Sequence, residues 1–145
     1  MKKLSCGTLI VRDRMGTKEL FMAHVTGQKF WDIPKGGKNL HENYIEAALR
    51  ELEEESGFKC NHHELFDLGL FEYTERKDLY LFKYVGEKYL CDQTAICTST
   101  FFSKIHETRL PEVDDFKYVP FDDVLAHCSE GFKNVFPLLL QKRII

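Results

Sequence analysis

This sequence predicts an α/β fold, a mixed β-sheet sandwiched between α-helices, and three observations predict it. Short segments with strand patterning lie on both sides of one amphipathic helix. Two further helical segments close the chain, so helices are available for both faces of a sheet. The length of 145 residues fits a single domain with a sizeable core, and no repeat, low-complexity tract or linker divides residues 1–145.

Each element has its own signal. Residues 4–11 are apolar and β-branched enough for a strand. Residues 12–18, with Gly16, are predicted to turn, and residues 19–25 to return as the second strand of a hairpin. Residues 30–33 make a short strand stopped by Pro34. Asn43 followed by Glu46 reads as a capping box that opens a helix, and Gly57 stands where a left-handed terminator would close it. Ile45, Ala48, Leu49 and Leu52 recur at helical spacing and form its apolar stripe. Residues 65–74 and 78–85 alternate in the strand manner, residues 98–102 do so more weakly, and residues 116–120 make a last short strand. Residues 122–128 and 132–142 are patterned as helices.

Composition narrows the class. Hydrophobic content of 43% and charged content of 30% are ordinary for a globular domain. A net charge of −3 gives no general attraction to nucleic acid or to an anionic membrane. No apolar run is long enough to span a bilayer, since residues 135–140 are few and contain Pro137. The basic start is followed by an apolar stretch, but Arg12 and Asp13 interrupt it and no small-residue cleavage site follows. The expectation is therefore a cytoplasmic protein without a signal peptide. Cys6, Cys60, Cys91, Cys97 and Cys128 are odd in number and form no CxxC pair, which predicts reduced thiols. Cys60, His62 and His63, with Cys91 and Cys97, are spaced too loosely for a structural zinc site.

The chemistry is concentrated on the central helix. Glu51, Glu54 and Glu55 sit three and four positions apart, so at about 100° per residue their carboxylates converge on one patch. Like charges that close repel unless a cation or a proton lies among them. Oxygen ligands at that density suit a hard divalent ion, Mg²⁺ or Mn²⁺, and suit zinc or copper poorly. Arg50 is placed to orient one of the carboxylates through a charge-assisted pair. The same residues can also be read as a solvated acidic face, but that reading leaves the spaced glycines and Arg50 unexplained.

Gly36, five residues, Glu42, seven residues, and then Arg50-Glu51-Leu52-Glu53-Glu54-Glu55-Ser56-Gly57-Phe58 resembles the Nudix box at every defining position. The resemblance is concentrated in residues 36–58 and extends weakly over the chain through strand order and length. It implies the Nudix fold and a Mg²⁺- or Mn²⁺-dependent hydrolase acting on nucleoside diphosphates linked to another group. It also implies that Glu51, Glu54 and Glu55 are metal ligands and that Glu54 is a candidate base. In relatives the backbone carbonyl near Gly36 often completes the coordination. Glu42 would serve the box structurally by pairing with a basic residue. Many Nudix enzymes recruit a further glutamate from a late loop, and Glu112, four residues before Phe116-Lys117-Tyr118-Val119, is the choice here over Glu107, Asp114 and Asp115, its alternative reading being a solvated loop acid.

Further residues are candidates for substrate binding. Gly36 and Gly37 lack side chains, which lets backbone approach phosphate oxygens. The segment Trp31-Asp32-Ile33-Pro34-Lys35-Gly36 looks like the one preceding the box in dinucleoside tetraphosphate hydrolases and RNA 5′-pyrophosphohydrolases. Lys35 would then meet a phosphate at the mouth of the metal site, or else stand as a solvated loop lysine. Gly37 departs from the animal-type tetraphosphate hydrolases, which usually carry histidine there. Tyr80, Phe82 and Tyr84 share one strand face; Tyr80 and Tyr84, whose hydroxyls need partners, are the cleft candidates, and Phe82 is assigned to the core. Among the histidines only His41 and His106 fall where substrate could come near, and both also read as ordinary surface residues.

Two classes of function follow. One is a Nudix pyrophosphohydrolase with a nucleotide or dinucleotide substrate, a dinucleoside polyphosphate of the diadenosine tetraphosphate kind first. The 5′-triphosphate end of RNA, oxidised nucleoside triphosphates and nucleotide sugars are the alternatives. The other is a catalytically silent nucleotide-binding or regulatory domain on the same fold. The complete set of box glutamates and Arg50 favours the enzyme. Oligomeric state is not encoded in any motif.

Overall fold

In the computed structural model, which describes residues 2–145, the strand segments divide between two main sheets and do not form one. In chain order the first elements are β1 (Lys3–Leu9), β2 (Val11–Arg14), β3 (Thr17–Val25), β4 (Trp31–Asp32), β5 (Lys35–Gly37) and α1 (Tyr44–Ser56). They are followed by β6 (Leu65–Thr74), β7 (Lys77–Tyr84), β8 (Thr100–Ser103), β9 (Thr108–Pro111), β10 (Val113–Pro120), α2 (Val124–His127) and α3 (Glu130–Gln141). The first sheet has the order β5-β1-β7-β6 and is mixed, because β1 runs parallel to β7 while the other neighbours are antiparallel. The second sheet, β10-β3-β2, is antiparallel and holds β4 against β3. β8 and β9 form a separate two-stranded hairpin.

Several boundaries differ from the sequence expectation, each for a local reason. The strand expected over residues 4–11 breaks at Ile10, and Val11–Arg14 crosses into the second sheet. The turn expected over residues 12–18 contracts to Met15 and Gly16, closed by a bond from the Gly16 amide to Asp13 Oδ1. Its charged flanks are strand residues, because Arg12 and Glu19 face each other across β2 and β3 and pair. The weak strand at residues 98–102 becomes β8, and its partner β9, polar in Thr108 and Arg109, carried no strand pattern. Residues 122–128 resolve into a single 3₁₀ turn, Phe121–Asp123, and the short α2.

α1 has the boundaries its sequence announces. Asn43 Oδ1 accepts from the Glu46 amide at 2.9 Å and Glu46 Oε1 accepts from the Asn43 amide at 2.9 Å. Gly57, at φ 79°, is left-handed and its amide bonds to the Glu53 carbonyl. The helix lays Ala47, Ala48 and Leu52 on one side of the structure, among Cys6, Leu65, Phe82 and Tyr84. On the other side α3 buries Phe132, Val135, Phe136 and Leu139 against Phe71, Leu79 and Leu81. Alternation along β7 serves both clusters, Leu79 and Leu81 one way and Phe82 and Tyr84 the other, so sheet lies between helices. Among the described residues, no helix is long and apolar enough to cross a membrane.

Candidate active site

The site forms where the acidic face of α1 meets the backbone of β5. Gly36 permits the approach: a Cβ on it would collide with the Glu51 carboxylate. Glu55, one turn on, is buried, and its Oε1 accepts from the Lys35 amide at 3.2 Å. Burial pushes the Glu55 carboxyl up to about 8. Lys35 and its amide act against the shift, while Glu51 and Glu112 act with it. Burial also raises Glu51, against the pull of Arg50. Both carboxylates are largely withdrawn from water, Glu51 held by Arg50 and Glu55 by the Lys35 amide.

Arg50 holds this face together. Its Nε and Nη2 form a two-pronged pair with Glu42 at 2.6 and 2.9 Å. Nη1 reaches Glu51 at 2.7 Å and Glu54 at 3.0 Å, and Nη2 also donates to the Gly37 carbonyl at 2.8 Å. The bond from Arg50 keeps Glu42 below its ordinary carboxyl range, and bonds to Glu42 and Glu51 raise the guanidinium. Glu42 therefore pairs with the box arginine. It also accepts from the Asn39 amide, which fixes the loop between β5 and α1.

The donor set matches a hard divalent ion in kind: carboxylates of Glu51, Glu54 and Glu55, with β5 backbone against them. Among the described residues, however, no three His, Cys, Asp or Glu side chains are gathered tightly enough to hold an ion as they stand. Arg50 draws Glu51 and Glu54 toward itself, and Glu54, with 38% of its side chain exposed, is the one free to turn. Cys60, His62 and His63 form no metal cluster either.

A cleft of about 280 Å³ runs along this face, bounded by Gly36, Gly37, Glu55, Glu112, Lys35 and Lys77. Glu112, 57 positions beyond Glu55 in sequence, reaches it from the start of β10. Its carbonyl accepts from the Thr26 amide and its own amide donates to the Ser99 carbonyl. Lys35 lines the cleft, but its ammonium is engaged, 3.5 Å from Asp32 and 5.1 Å from the centre of the Tyr73 ring. Burial opposes that charge, and Asp32, Tyr73 and Glu55 more than reverse the effect, so Lys35 is held firmly protonated.

Two tyrosines assigned to the cleft are elsewhere. Tyr84 is buried with Phe58 under α1 and donates to the Lys88 carbonyl. Tyr80 stacks on Tyr44 at the start of α1 and donates to Asp67. The even-numbered residues of β7 face α1, away from the cleft; alternation gives two faces but not which one meets substrate.

Sequence reasoning missed three residues that the fold delivers. Lys77 opens β7 and lines the cleft, and among the described residues it pairs with no carboxylate. Burial, and then Lys35, lower its pKa. Asp32 is buried and accepts from the hydroxyls of Tyr73 and Ser129 and from the Ile33 amide. Tyr73 completes that network. Only the short spacing of Asp32 and Lys35 could have hinted at it.

Comparison with known proteins agrees with this geometry. A family model described as the NUDIX domain matches residues 1–139. The chain is 37% identical over 130 residues to an uncharacterised 17.7 kDa protein of Enterobacteria phage T4, covering 83% of each. It is 32% identical over 114 residues to the RNA pyrophosphohydrolase of Pelagibacter ubique, covering 73% of this chain and 70% of that one. Several RNA pyrophosphohydrolases of Xanthomonas are longer, and the chain spans 63% of their length. Among solved structures, the Nudix domain of Shewanella oneidensis NrtR with ADP-ribose superposes with a TM-score of 0.71 at 12% identity, over 100% of this chain and 90% of that one. A Caenorhabditis elegans Ap4A hydrolase complex superposes at 0.66 and 15% identity, over 98% and 97%.

Proposed function

This chain belongs to the NUDIX domain family and is a pyrophosphohydrolase acting on nucleotide derivatives, and within that class we propose that it cleaves dinucleoside polyphosphates. One observation carries the choice. The cleft that holds Glu55 and Glu112 also holds two lysines, Lys35 and Lys77, and continues past them into an apolar pocket of about 380 Å³ walled by Val25, Phe30 and Tyr73. Two ammonium groups in one cleft suit a chain of phosphates, and an apolar wall beyond them suits a nucleoside at its end.

The reaction replaces one P–O bond of a diphosphate linkage by a bond to water oxygen, and the water proton must leave. A divalent ion, when bound, would offset charge on the bridging and leaving oxygens and lower the pKa of the attacking water. Glu51, Glu54 and Glu55 are the residues proposed to hold it, with the backbone near Gly36. Glu54 and Glu112 are the candidate proton acceptors. Arg50 fixes the carboxylates, Gly37 lets backbone approach phosphate, and Lys77, with Lys35 held beside it by Asp32, neutralises phosphates beyond the cleaved bond.

A second reading, the 5′-triphosphate end of RNA, has a specific support in the 32% identity to an RNA pyrophosphohydrolase. A substrate panel with Mg²⁺ or Mn²⁺ separates them, with diadenosine tetraphosphate, 5′-triphosphorylated RNA, an oxidised nucleoside triphosphate and a nucleotide sugar compared by kcat/KM. The tetraphosphate is expected to lead, and Lys77→Ala to raise its KM more than that of the nucleotide sugar. RNA turned over faster than the tetraphosphate would transfer the assignment to the second reading.

A further inference from the structure

Beside the apolar wall described above, which it meets at Val25, a second pocket of about 270 Å³ opens beneath the β8–β9 hairpin. It is continuous with the catalytic cleft, because Val25 and Glu112 line both. Phe101, on β8, supplies its aromatic wall and is 37% exposed. The opposite wall is the chain just after β3, where Thr26 and Gln28 stand. Thr26 is tied to the site by its amide, which donates to the Glu112 carbonyl at 3.1 Å. Its hydroxyl is buried and has no hydrogen-bond partner. Gln28 is exposed, and its side-chain amide offers donors and an acceptor at the rim.

We propose that this pocket takes a nucleobase of the substrate, with Phe101 as the stacking surface and the exposed side-chain amide of Gln28 as the polar group that reads the base edge. The size agrees, since 270 Å³ falls just under the roughly 300 Å³ at which pockets for drug-sized ligands begin, and so suits one flat ring system. The chemistry agrees too: every base has a π-face to lay on a phenyl ring and polar edges to be recognised at its rim. Position decides between occupants, because a group seated against Glu112 must be joined to the phosphates in the neighbouring cleft. The apolar pocket also meets the cleft, at Val25, Asp32, Lys35 and Lys77, so two recesses adjoin the lysines and carboxylates. The hairpin becomes the element that sets base preference. Its other exposed aromatic, Phe102, faces away on the opposite side of β8 and is not part of the pocket.

The inference rests on the nucleotide reading, and its test is built to fail separately. Calorimetric titration with ADP and Mg²⁺ is compared with titration by inorganic pyrophosphate and Mg²⁺, which has phosphates but no base. Wild type is expected to bind ADP more tightly than pyrophosphate. Phe101→Ala should weaken ADP by roughly 5- to 150-fold, the equivalent of about 1–3 kcal/mol of stacking, and leave pyrophosphate unchanged. Phe101→Tyr, which keeps the ring, should stay near wild type. Unchanged ADP affinity in Phe101→Ala, or an equal loss for both compounds, overturns the base pocket and leaves the hydrolase reading standing. Wild type that binds neither compound overturns the nucleotide reading, and the pocket with it.

Discussion

Arg50 uses all five of its N–H donors, two on Glu42 and one each on Glu51, Glu54 and the Gly37 carbonyl. One side chain therefore links the loop after β5, the strand backbone and two of the three box carboxylates. Lysine has the charge but no planar fork, so it cannot span these partners together. Arg50→Ala is expected to lower kcat/KM by about 10–100-fold, the usual cost of losing a group that orients metal ligands. Arg50→Lys should recover part of that loss, with the fold kept in both. Activity of Arg50→Ala equal to wild type in steady-state assays would show that the arginine only decorates the surface. The pairing of Arg50 with Glu51 and Glu54 was legible in the sequence because they are one and four positions away. Lys77 and Tyr73 were not legible, since Tyr73 meets Asp32 across 41 positions and only the folded sheet brings them together.

At the scale of elements, α1 is the scaffold on which all three box glutamates stand, and its ends are fixed by local chemistry. That is why the sequence announced both its start and its stop. Removing the Asn43 side chain leaves the Glu46 amide without its acceptor, so Asn43→Ala should cost about 1 kcal/mol of stability, within the usual 0.5–2 for a cap. Urea denaturation should show this as a lower midpoint at unchanged slope. A midpoint equal to wild type would mean that packing of Ala47, Ala48 and Leu52 alone sets the end of the helix. The β8–β9 hairpin is the contrary case. Among the described residues its strands pair only with each other, and β9 is polar, so no apolar alternation marked the second one. β7 is intermediate: its alternation was read correctly, but the cleft side was taken to be the tyrosine side.

At the scale of the whole molecule, sheet order converts distant residues into one site. β5 pairs with β1, β1 with β7, and β10 with β3, which brings Lys35, Lys77 and Glu112 to the edge of α1. The box glutamates and their arginine could be read from spacing, as could the α/β class. The position of Glu112 in the cleft required the fold, although its place before an aromatic strand had singled it out. The division into two sheets was hidden because Ile10, where the chain leaves one for the other, is as apolar as its neighbours.

On the proposed function, the acid face of α1 runs a divalent-dependent hydrolysis of a nucleoside polyphosphate. The most direct measurement is turnover of diadenosine tetraphosphate, with and without Mg²⁺, by wild type and by Glu54→Gln, with products resolved chromatographically. The predicted result is turnover that needs the ion, stops with chelator and returns when Mg²⁺ is restored. Glu54→Gln should fall by roughly 10²–10³-fold in kcat, as expected for losing one strong electrostatic stabiliser. Full turnover in metal-free buffer, or a Glu54→Gln protein as fast as wild type, would contradict the account.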